Sequence, residues 1–343
     1  MMKKGMFFIG LLLMAVQFGF SQETEKDTLD GQKKSSKFID FKKTTTFIDT
    51  LLIDRDLNHW SVRLLSSFKE HDFVLSSKGS KFDYEPNNPL GIGIGVATRK
   101  LIVDITFNIK GQEENPTDRF DILTSFFIKK HLFDFYFQKY QGFSVENVDT
   151  KEIIFRDDIR SVSTGLRYMY MFHESEYSIA AMKTGLFNQE KSSITMGLGG
   201  FLLYSNQSAD DPIVPVTIHP GIQDESLYTE LRGTAIGAQI GVSGLIVLPS
   251  NFFLSLNIVP GIGLMNKFVK AENQDYRPEN PVVHQLGLSA MLGYNGDLFY
   301  AKLAVSNGYY STDFDFGNEV VFSYLNAKLA VGYKLKGKFK KKF

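Results

Sequence analysis

Residues 101–110 read LIVDITFNIK, and the alternation in this stretch decides the fold. Its apolar side chains recur at every second position, and the positions between them are polar apart from Ile102. Successive side chains of a β-strand point to opposite faces, so the stretch is predicted to be a strand with one apolar and one polar face. The apolar face carries Leu101, Val103, Ile105, Phe107 and Ile109, and the polar face carries Asp104, Thr106, Asn108 and Lys110.

The same alternation recurs along most of the chain. Sandwich strands usually run about 5–6 residues, whereas membrane-spanning strands need about 9–11. The runs here are long and carry aromatic residues near their ends, which favours an antiparallel transmembrane β-barrel with apolar side chains facing lipid. A soluble β-sandwich, with the same side chains facing inward, stays as the alternative. The runs are 60–77, 100–110, 119–130, 158–172, 231–248, 281–295, 297–310 and 320–335.

Composition narrows the classes of function. The 343 residues include 38 basic and 38 acidic side chains, so the net charge of zero argues against a nucleic-acid partner, which needs a basic surface. The chain has no cysteine, which excludes disulfides, thiolate zinc sites and cysteine nucleophiles. No metal-ligand spacing or nucleotide motif is present, and we expect no cofactor.

The first residues predict export. Lys3 and Lys4 precede an apolar run that ends at Phe20, which is the pattern of a secretory signal peptide over 1–21. We expect a polar periplasmic tail over 22–56, a barrel over 57–336 in the bacterial outer membrane, and a basic tail over 337–343.

Connection lengths predict the strand count. Bacterial barrels have short periplasmic turns and longer extracellular loops. The stretch 173–190 keeps this alternation only if it is a periplasmic or lumen-facing excursion, which gives about twelve strands, within a range of 10–14. The short turns are 98–100, 129–131, 248–251 and 294–297, and the long connections are 78–89, 111–118, 142–157, 206–230, 267–280 and 311–319.

Charged residues on the polar faces are predicted to line the lumen. A lysine or arginine facing lipid at mid-membrane costs about 2–4 kcal/mol, so the register is strongly specified. Opposite charges inside a barrel either pair to fill it or line a conduit, and the strand count does not decide between the two. The predicted lumen-facing charges are Arg63, Asp104, Asp121, Lys129, Asp134, Arg167, Lys302, Lys328 and Lys334.

Four further features bear on possible chemistry. GIGIG at 91–95 lacks the spacing of a nucleotide loop, so we expect close packing or curvature there. His284 and Ser289 lie five positions apart and are predicted to face opposite sides of one strand, which is poor geometry for a catalytic pair. The acidic residues of 311–319 are expected to be solvated, and the proline-containing loop 206–230 is a candidate recognition surface.

Several short motifs together resemble a known family. Ser61-Val-Arg-Leu64 precedes YEPNNPLGIGIG at 84–95, and Arg160 leads through Gly165 to Arg167-Tyr168. The stretches 177–181 and 196–200 follow. The chain is similar, over about 45–335, to an outer-membrane β-barrel family of unknown function from one group of Gram-negative bacteria. This resemblance implies a barrel and implies no activity, substrate or catalytic residue.

The sequence therefore predicts a non-enzymatic outer-membrane barrel with a structural, adhesive or passive-transport role. The first alternative is a channel for a small solute or hydrophobic ligand gated by 173–190. The second is a membrane-embedded lipid hydrolase, which is disfavoured because no His–Ser–acid set shares a face. The expected partners are outer-membrane lipid, the barrel-assembly machinery, and a small solute or surface ligand.

Overall fold

The computed structural model describes most of the chain from residue 53 onward. No helix among the described residues is long and apolar enough to cross a membrane. The described ranges are 53–55, 59–77, 79–97, 101–109, 115–128, 130–172, 187–189, 192–215, 227–271 and 274–336.

Fifteen β-strands lie within these ranges. They are β1 (Ile53–Arg55), β2 (His59–Ser77), β3 (Ser80–Glu85), β4 (Leu90–Ala97), β5 (Leu101–Asn108), β6 (Asp118–Ile128), β7 (His131–Asn147), β8 (Ile153–Met171), β9 (Phe187–Gln189), β10 (Ser193–Ser208), β11 (Tyr228–Leu248), β12 (Phe252–Ala271), β13 (Val282–Asn295), β14 (Phe299–Asp313) and β15 (Asn318–Lys336).

Thirteen of the strands form one antiparallel sheet that closes on itself. The sheet runs from β15 through β14, β13, β12, β11, β10 and β8 to β7, and the last strand, β15, pairs with β2 over its whole length. Closure removes the open edges that a membrane-spanning sheet cannot leave in lipid. The prediction of an antiparallel barrel is confirmed, and the sandwich alternative is wrong.

The barrel has different strand counts at its two ends. The second half of β2 pairs with β3, and β3 pairs directly with β7. The first half of β2 pairs with β4, and β4 leads through β5 and β6 to β7. One end is therefore a ring of ten strands and the other a ring of twelve, in agreement with the predicted count. The strand β5 pairs with β6 at only three positions.

The twelve-strand end carries an apolar outer belt. Leu64, Ile194 and Ile236 are 69%, 74% and 64% exposed. A water-soluble protein rarely exposes so continuous an apolar surface, so this belt is expected to contact lipid. Along β2 the outward positions are apolar from Trp60 to Phe68 with Ser66 as the exception, and Glu70 follows. We take 60–68 as the membrane-spanning part of β2. Aromatic contacts mark the edge of the belt at the short-turn end, namely Phe252–Tyr294, Phe299–Tyr333 and Tyr170–Phe172. This is the periplasmic end.

The strands reach further beyond the belt than the sequence pattern predicted. The predicted loop 142–157 consists mainly of the ends of β7 and β8 with a turn over 148–152, and the predicted loop 78–89 contains β3. The predicted loops over 206–230, 267–280 and 311–319 are shortened in the same way. These extensions keep pairing because their inward faces are apolar and bury one another.

The strands on either side of 173–190, β8 and β10, are directly paired and antiparallel. The predicted excursion falls mostly on 173–186 and 190, which lie outside the described residues. Its described part, β9, pairs with β1. The connectivity places this small sheet at the periplasmic end. The predicted signal peptide, most of the predicted periplasmic tail and the predicted basic C-terminal tail lie outside the described residues.

The hydrophobic core fills the extracellular half of the lumen. Phe73 stacks on Tyr84 with ring centroids 4.2 Å apart and meets Phe143 edge-on at 5.6 Å. Phe322 and Tyr310 add to the same cluster from β15 and β14. We call this cluster the aromatic plug. It stabilises the extracellular ring as a packed interior, which pore-forming barrels lack.

Candidate functional site

A cavity of about 360 Å³ lies in the lumen at the level of the apolar belt. This volume falls within the range of about 300–1,000 Å³ found for small-molecule sites. Its walls combine charged, small polar and thioether side chains. The lining includes Arg63, Lys69, Asp104, Arg167, Met169, Ser255, Asn257, Ser289, Met291, Lys302, Ser306 and Lys328.

An ion-paired cluster forms one wall of the cavity. The Asp104 carboxylate on β5 accepts from Arg63 Nη2 at 2.6 Å and from Lys328 Nζ at 2.7 Å. Gly95 of the GIGIG run faces the same point, where a Cβ atom would collide with the Asp104 carboxylate and the Arg63 guanidinium. The glycines on this lumen face therefore make room for the charged cluster.

Two further carboxylates, which lie on the neighbouring strands β6 and β7, form ion pairs with basic side chains. Asp121 lies 3.3 Å from Lys69 Nζ and accepts a 2.8 Å hydrogen bond from the Tyr140 hydroxyl. Asp134 lies 3.7 Å from Arg167 and accepts a 2.6 Å hydrogen bond from Ser125. Opposite charges thus pair across strands, as lumen charges in a narrow barrel must.

Of the remaining predicted lumen charges, Lys302 is 4% exposed and its Nζ lies 4.9 Å from the Tyr300 ring centroid. Lys334 occupies an inward position of β15, opposite the buried Ser61. Lys129 lies outside the described residues.

Among the described cavity-lining residues, five are basic and two are acidic, so the cavity lining has a net positive charge. The basic ones are Arg63, Lys69, Arg167, Lys302 and Lys328, and the acidic ones are Asp104 and Asp134.

A layer of buried polar side chains borders the aromatic plug, two of whose members, Tyr136 and Tyr310, also line the cavity. His71 is fully buried, and its Nε2 lies 3.3 Å from the Ser161 hydroxyl, which also accepts from Gln207 at 3.2 Å. The Ser163 and Tyr324 hydroxyls are 2.8 Å apart. Burial lowers the pKa of His71 to about 4 although Asp121 opposes the shift, so the imidazole is neutral at physiological pH.

The first residues after β10 close the extracellular ring. Ile213 and Val214 are fully buried in the plug, and the Ile213 carbonyl accepts a 2.9 Å hydrogen bond from Tyr84. We call residues 209–215 the cap. Ile213, Val214 and Pro215 pack inward and Asp210 and Asp211 stay exposed, whereas the sequence pattern placed all of them in the long loop 206–230.

A carboxylate on β8 anchors the cap. Asp158 accepts two 2.6 Å hydrogen bonds from Arg156 and two longer ones from the amides of Asp210 and Asp211. Arg156 also donates to the Pro212 carbonyl at 3.0 Å. Burial raises the pKa of Asp158, but the hydrogen bonds from Arg156 and the cap outweigh it and leave the pKa below its usual value.

The other features noted in the sequence show no assembled chemistry. His284 points outward from β13, whereas Ser289 points into the lumen and accepts a 2.9 Å hydrogen bond from Asn257. Asp313 and Asp315 accept hydrogen bonds from backbone amides. Within the described ranges, no group of three or more histidine or acidic side chains is placed to hold a metal.

The lumen residues that the sequence analysis missed include Lys69, His71 and Arg119. The alternation of β2 contained the signal for the first two, because Ser61, Arg63, Leu65 and Ser67 occupy the same face two residues apart. Arg119 is the first residue of the predicted strand 119–130 and lies two positions before Asp121, which was predicted to face the lumen, so the same alternation also contained its signal.

The closed sheet, the lipid-facing belt and the charged interior together define an integral β-barrel of the bacterial outer membrane. The family model described as "Domain of unknown function (DUF4421)" matches residues 47–335, and the chain belongs to this family. The search of curated proteins found no match.

Solved outer-membrane barrels are similar in fold. The outer membrane protease OmpT from Escherichia coli aligns at 8% identity and a TM-score of 0.42, over 82% of this chain and 98% of that one. The translocator domain of the autotransporter NalP from Neisseria meningitidis aligns at 10% identity and a TM-score of 0.41, over 85% and 93%. The transport unit of the autotransporter AIDA-I from Escherichia coli aligns at 12% and 0.36, over 85% and 96%. These values are too low to relate individual sites.

Proposed function

We propose that this barrel binds a small amphiphilic ligand in its lumen cavity, without enzymatic chemistry and without acting as a pore open to the exterior. The observation that carries the proposal is the position of the cavity directly beneath the aromatic plug. Water-filled pores need a continuous polar passage, and here the extracellular half of the lumen is packed with aromatic and aliphatic side chains.

The mixed lining supports an amphiphile rather than a simple solute. Ligand sites are mostly apolar with a few placed polar groups that fix orientation. Met169, Met291 and Val259 offer an adaptable apolar surface, whereas Lys69 and Lys328 offer charge on another wall. This proposal is close to the predicted hydrophobic-ligand alternative. It differs by placing the closure in the plug and not in 173–190.

A cavity-filling variant tests ligand binding. Ala304 lines the cavity, and Ala301 points outward from the same strand. Native mass spectrometry of the barrel with dodecyl phosphate should show one retained molecule for the parent and for Ala301→Trp, and none for Ala304→Trp. Equal retention by both variants, or none by the parent, would contradict the proposal.

Conductance in planar bilayers tests the closure. Phe73 and Phe322 are paired plug residues on β2 and β15, whereas Leu64 and Val331 are a pair on the same strands that faces lipid, 69% and 50% exposed. We expect no stable open step for the parent or for Leu64→Ser with Val331→Ser, and an increased leak for Phe73→Ser with Phe322→Ser. A reproducible open step in the parent would favour the solute channel.

A further inference from the structure

The barrel wall has a gap between β5 and β6. These strands pair only from Leu101↔Phe126 to Val103↔Thr124, at the periplasmic end. Above this point 104–108 stays paired with β4 and 118–123 with β7, but the described residues of the two segments make no ladder with each other. Five strand residues span about 17 Å, so the gap crosses roughly half of the apolar belt.

The outer edges of the gap face lipid. Ile105 and Phe107 on β5 are 54% and 63% exposed, and Phe120 and Ile122 on β6 are 56% and 42% exposed. Open strand edges are avoided in hydrocarbon and are tolerated where they line a polar cavity. The unpaired edges therefore lie between the lipid and the lumen, and we call this opening the lateral window.

The window is held at its upper end by a defined network. Thr117 donates its hydroxyl to the Gly142 carbonyl at 2.8 Å, and its amide donates to Asn88 Oδ1 at 3.1 Å. Arg119 donates to the carbonyls of Pro89 and Leu90 at 2.9 and 2.7 Å. These bonds fix the top of β6 to β4 and β7 while leaving the two window edges apart.

The inner rim of the window is basic. Asp104 and Asp121 are each already bound to a cation, and Lys69 and Lys328 line the cavity beside them. Lys328 and Arg119 lie close enough to Lys69 for charge repulsion. With Arg63, the described rim carries four basic and two acidic side chains, an arrangement that favours an incoming anion.

We propose that the lateral window is the route by which a single-chain amphiphile with an anionic head passes from the outer leaflet into the lumen cavity. Its head would meet Lys69 and Lys328, and its chain would lie along Met169, Val259 and Met291. A cavity of about 360 Å³ suits one chain. This inference rests on the proposed function and adds the route and the charge of the ligand.

Bridging the window in the folded barrel tests the route. Because the chain has no cysteine, two introduced thiols are the only ones. Ile105→Cys with Ile122→Cys spans the window. Ile94→Cys with Ile105→Cys spans the closed seam between β4 and β5, where the two residues are already paired, and is the matched control. A thiol-cleavable bismaleimide is applied after folding, and intact mass identifies the bridged molecules.

The probe is dodecyl phosphate with a diazirine on its tail, dissolved in the bilayer around the reconstituted barrel. We expect photolabelling of cavity residues such as Ser289 and Ser306 in the parent and in the control. Labelling should be lost in the window-bridged variant and return after cleavage of the bridge. Unchanged cavity labelling in the bridged variant would overturn the lateral route while leaving ligand binding intact. Absence of cavity labelling in every protein would contradict the proposed function itself.

Two further arms test the head group and its source. Replacing phosphate by trimethylammonium on the same chain should strongly reduce cavity labelling, and equal labelling would overturn the anionic assignment. Inorganic phosphate in the aqueous phase should not compete, since the route begins in the lipid. Full competition by inorganic phosphate would overturn the membrane as the source.

Discussion

The Arg119 guanidinium on β6 donates a 2.7 Å hydrogen bond to the carbonyl of Leu90 at the start of β4, although β5 separates these two strands in the sheet. The contact passes over the end of β5 at the level where twelve strands become ten. It joins the two sides of the lateral window through a side chain in place of a backbone ladder.

Removing this contact should loosen the window without dissolving the barrel. Arg119→Met loses hydrogen bonds from a charged donor, which are worth roughly 1.5–3 kcal/mol each. We expect faster amide exchange over 118–123 and a lower free energy of unfolding. Arg160→Met is the control, because Arg160 lies exposed at the surface and pairs with Asp210. If the two variants exchange alike over 118–123, Arg119 does not hold the window.

Neutralising the shared carboxylate of the cavity wall should be strongly destabilising. Asp104→Asn leaves the Arg63 and Lys328 charges without the carboxylate that now joins them. Breaking a buried ion pair on one side costs roughly 3–5 kcal/mol. Urea unfolding of the reconstituted barrel measures the change. Asp149→Asn in an exposed turn should shift the free energy of unfolding by no more than about 0.5 kcal/mol, and an equally small shift for Asp104→Asn would contradict the pairing.

The buried His71 predicts a pH dependence of stability. Its pKa is about 4 in the folded barrel against 6.5 ordinarily, so the unfolded chain binds the extra proton first as the pH falls. The free energy of unfolding therefore contains the full contribution of the neutral His71 above pH 6.5, and it decreases as the pH falls from 6.5 toward 4. The loss is on the order of 3 kcal/mol, from 1.36 kcal/mol per unit of pKa. Unfolding at several pH values should show this loss in the parent and a smaller one in His71→Gln. Identical slopes would exclude His71 as the cause.

The cap should detach when Asp158 loses its charge. Because the pKa of Asp158 is held below 3.8, its contribution is present above that value and is lost as the pH falls further. Asp158→Asn should mimic this loss at neutral pH and make 209–215 sensitive to proteinase K. Asp157→Asn, one position away and exposed, is the control. A resistant cap in Asp158→Asn would show that the apolar contacts of Ile213 and Val214 suffice.

The sequence predicted the features that depend on alternation. The pattern at 101–110 predicted the strand, its lumen face and its lipid face together, because a shift by one residue would turn Asp104 and Lys110 toward lipid. The same pattern places Arg63, Asp104 and Lys328 inward, where the structure has them joined. The pairing partners themselves depend on which strands become neighbours, which alternation does not encode.

The window and the plug were not predictable in this way. Residues 104–108 read as a regular strand, and only the three-dimensional register shows that they stay unpaired with 118–123. The ends of β7 and β8 were predicted to be a loop because their outward positions carry polar residues such as Glu146 and Asp157, so the apolar residues there are too few to mark a membrane-spanning strand. Their inward faces, which include Val145 and Ile159, continue the core.

Thiol accessibility in intact cells tests the closed extracellular end most directly. A single Ser289→Cys places a thiol in the cavity, and Asp149→Cys places one in an exposed extracellular turn. With a membrane-impermeant maleimide added outside the cells, position 149 should be labelled and position 289 should stay unmodified. Labelling of position 289 as fast as that of position 149 would mean that water reaches the cavity through the plug, and would contradict a lumen closed at its extracellular end.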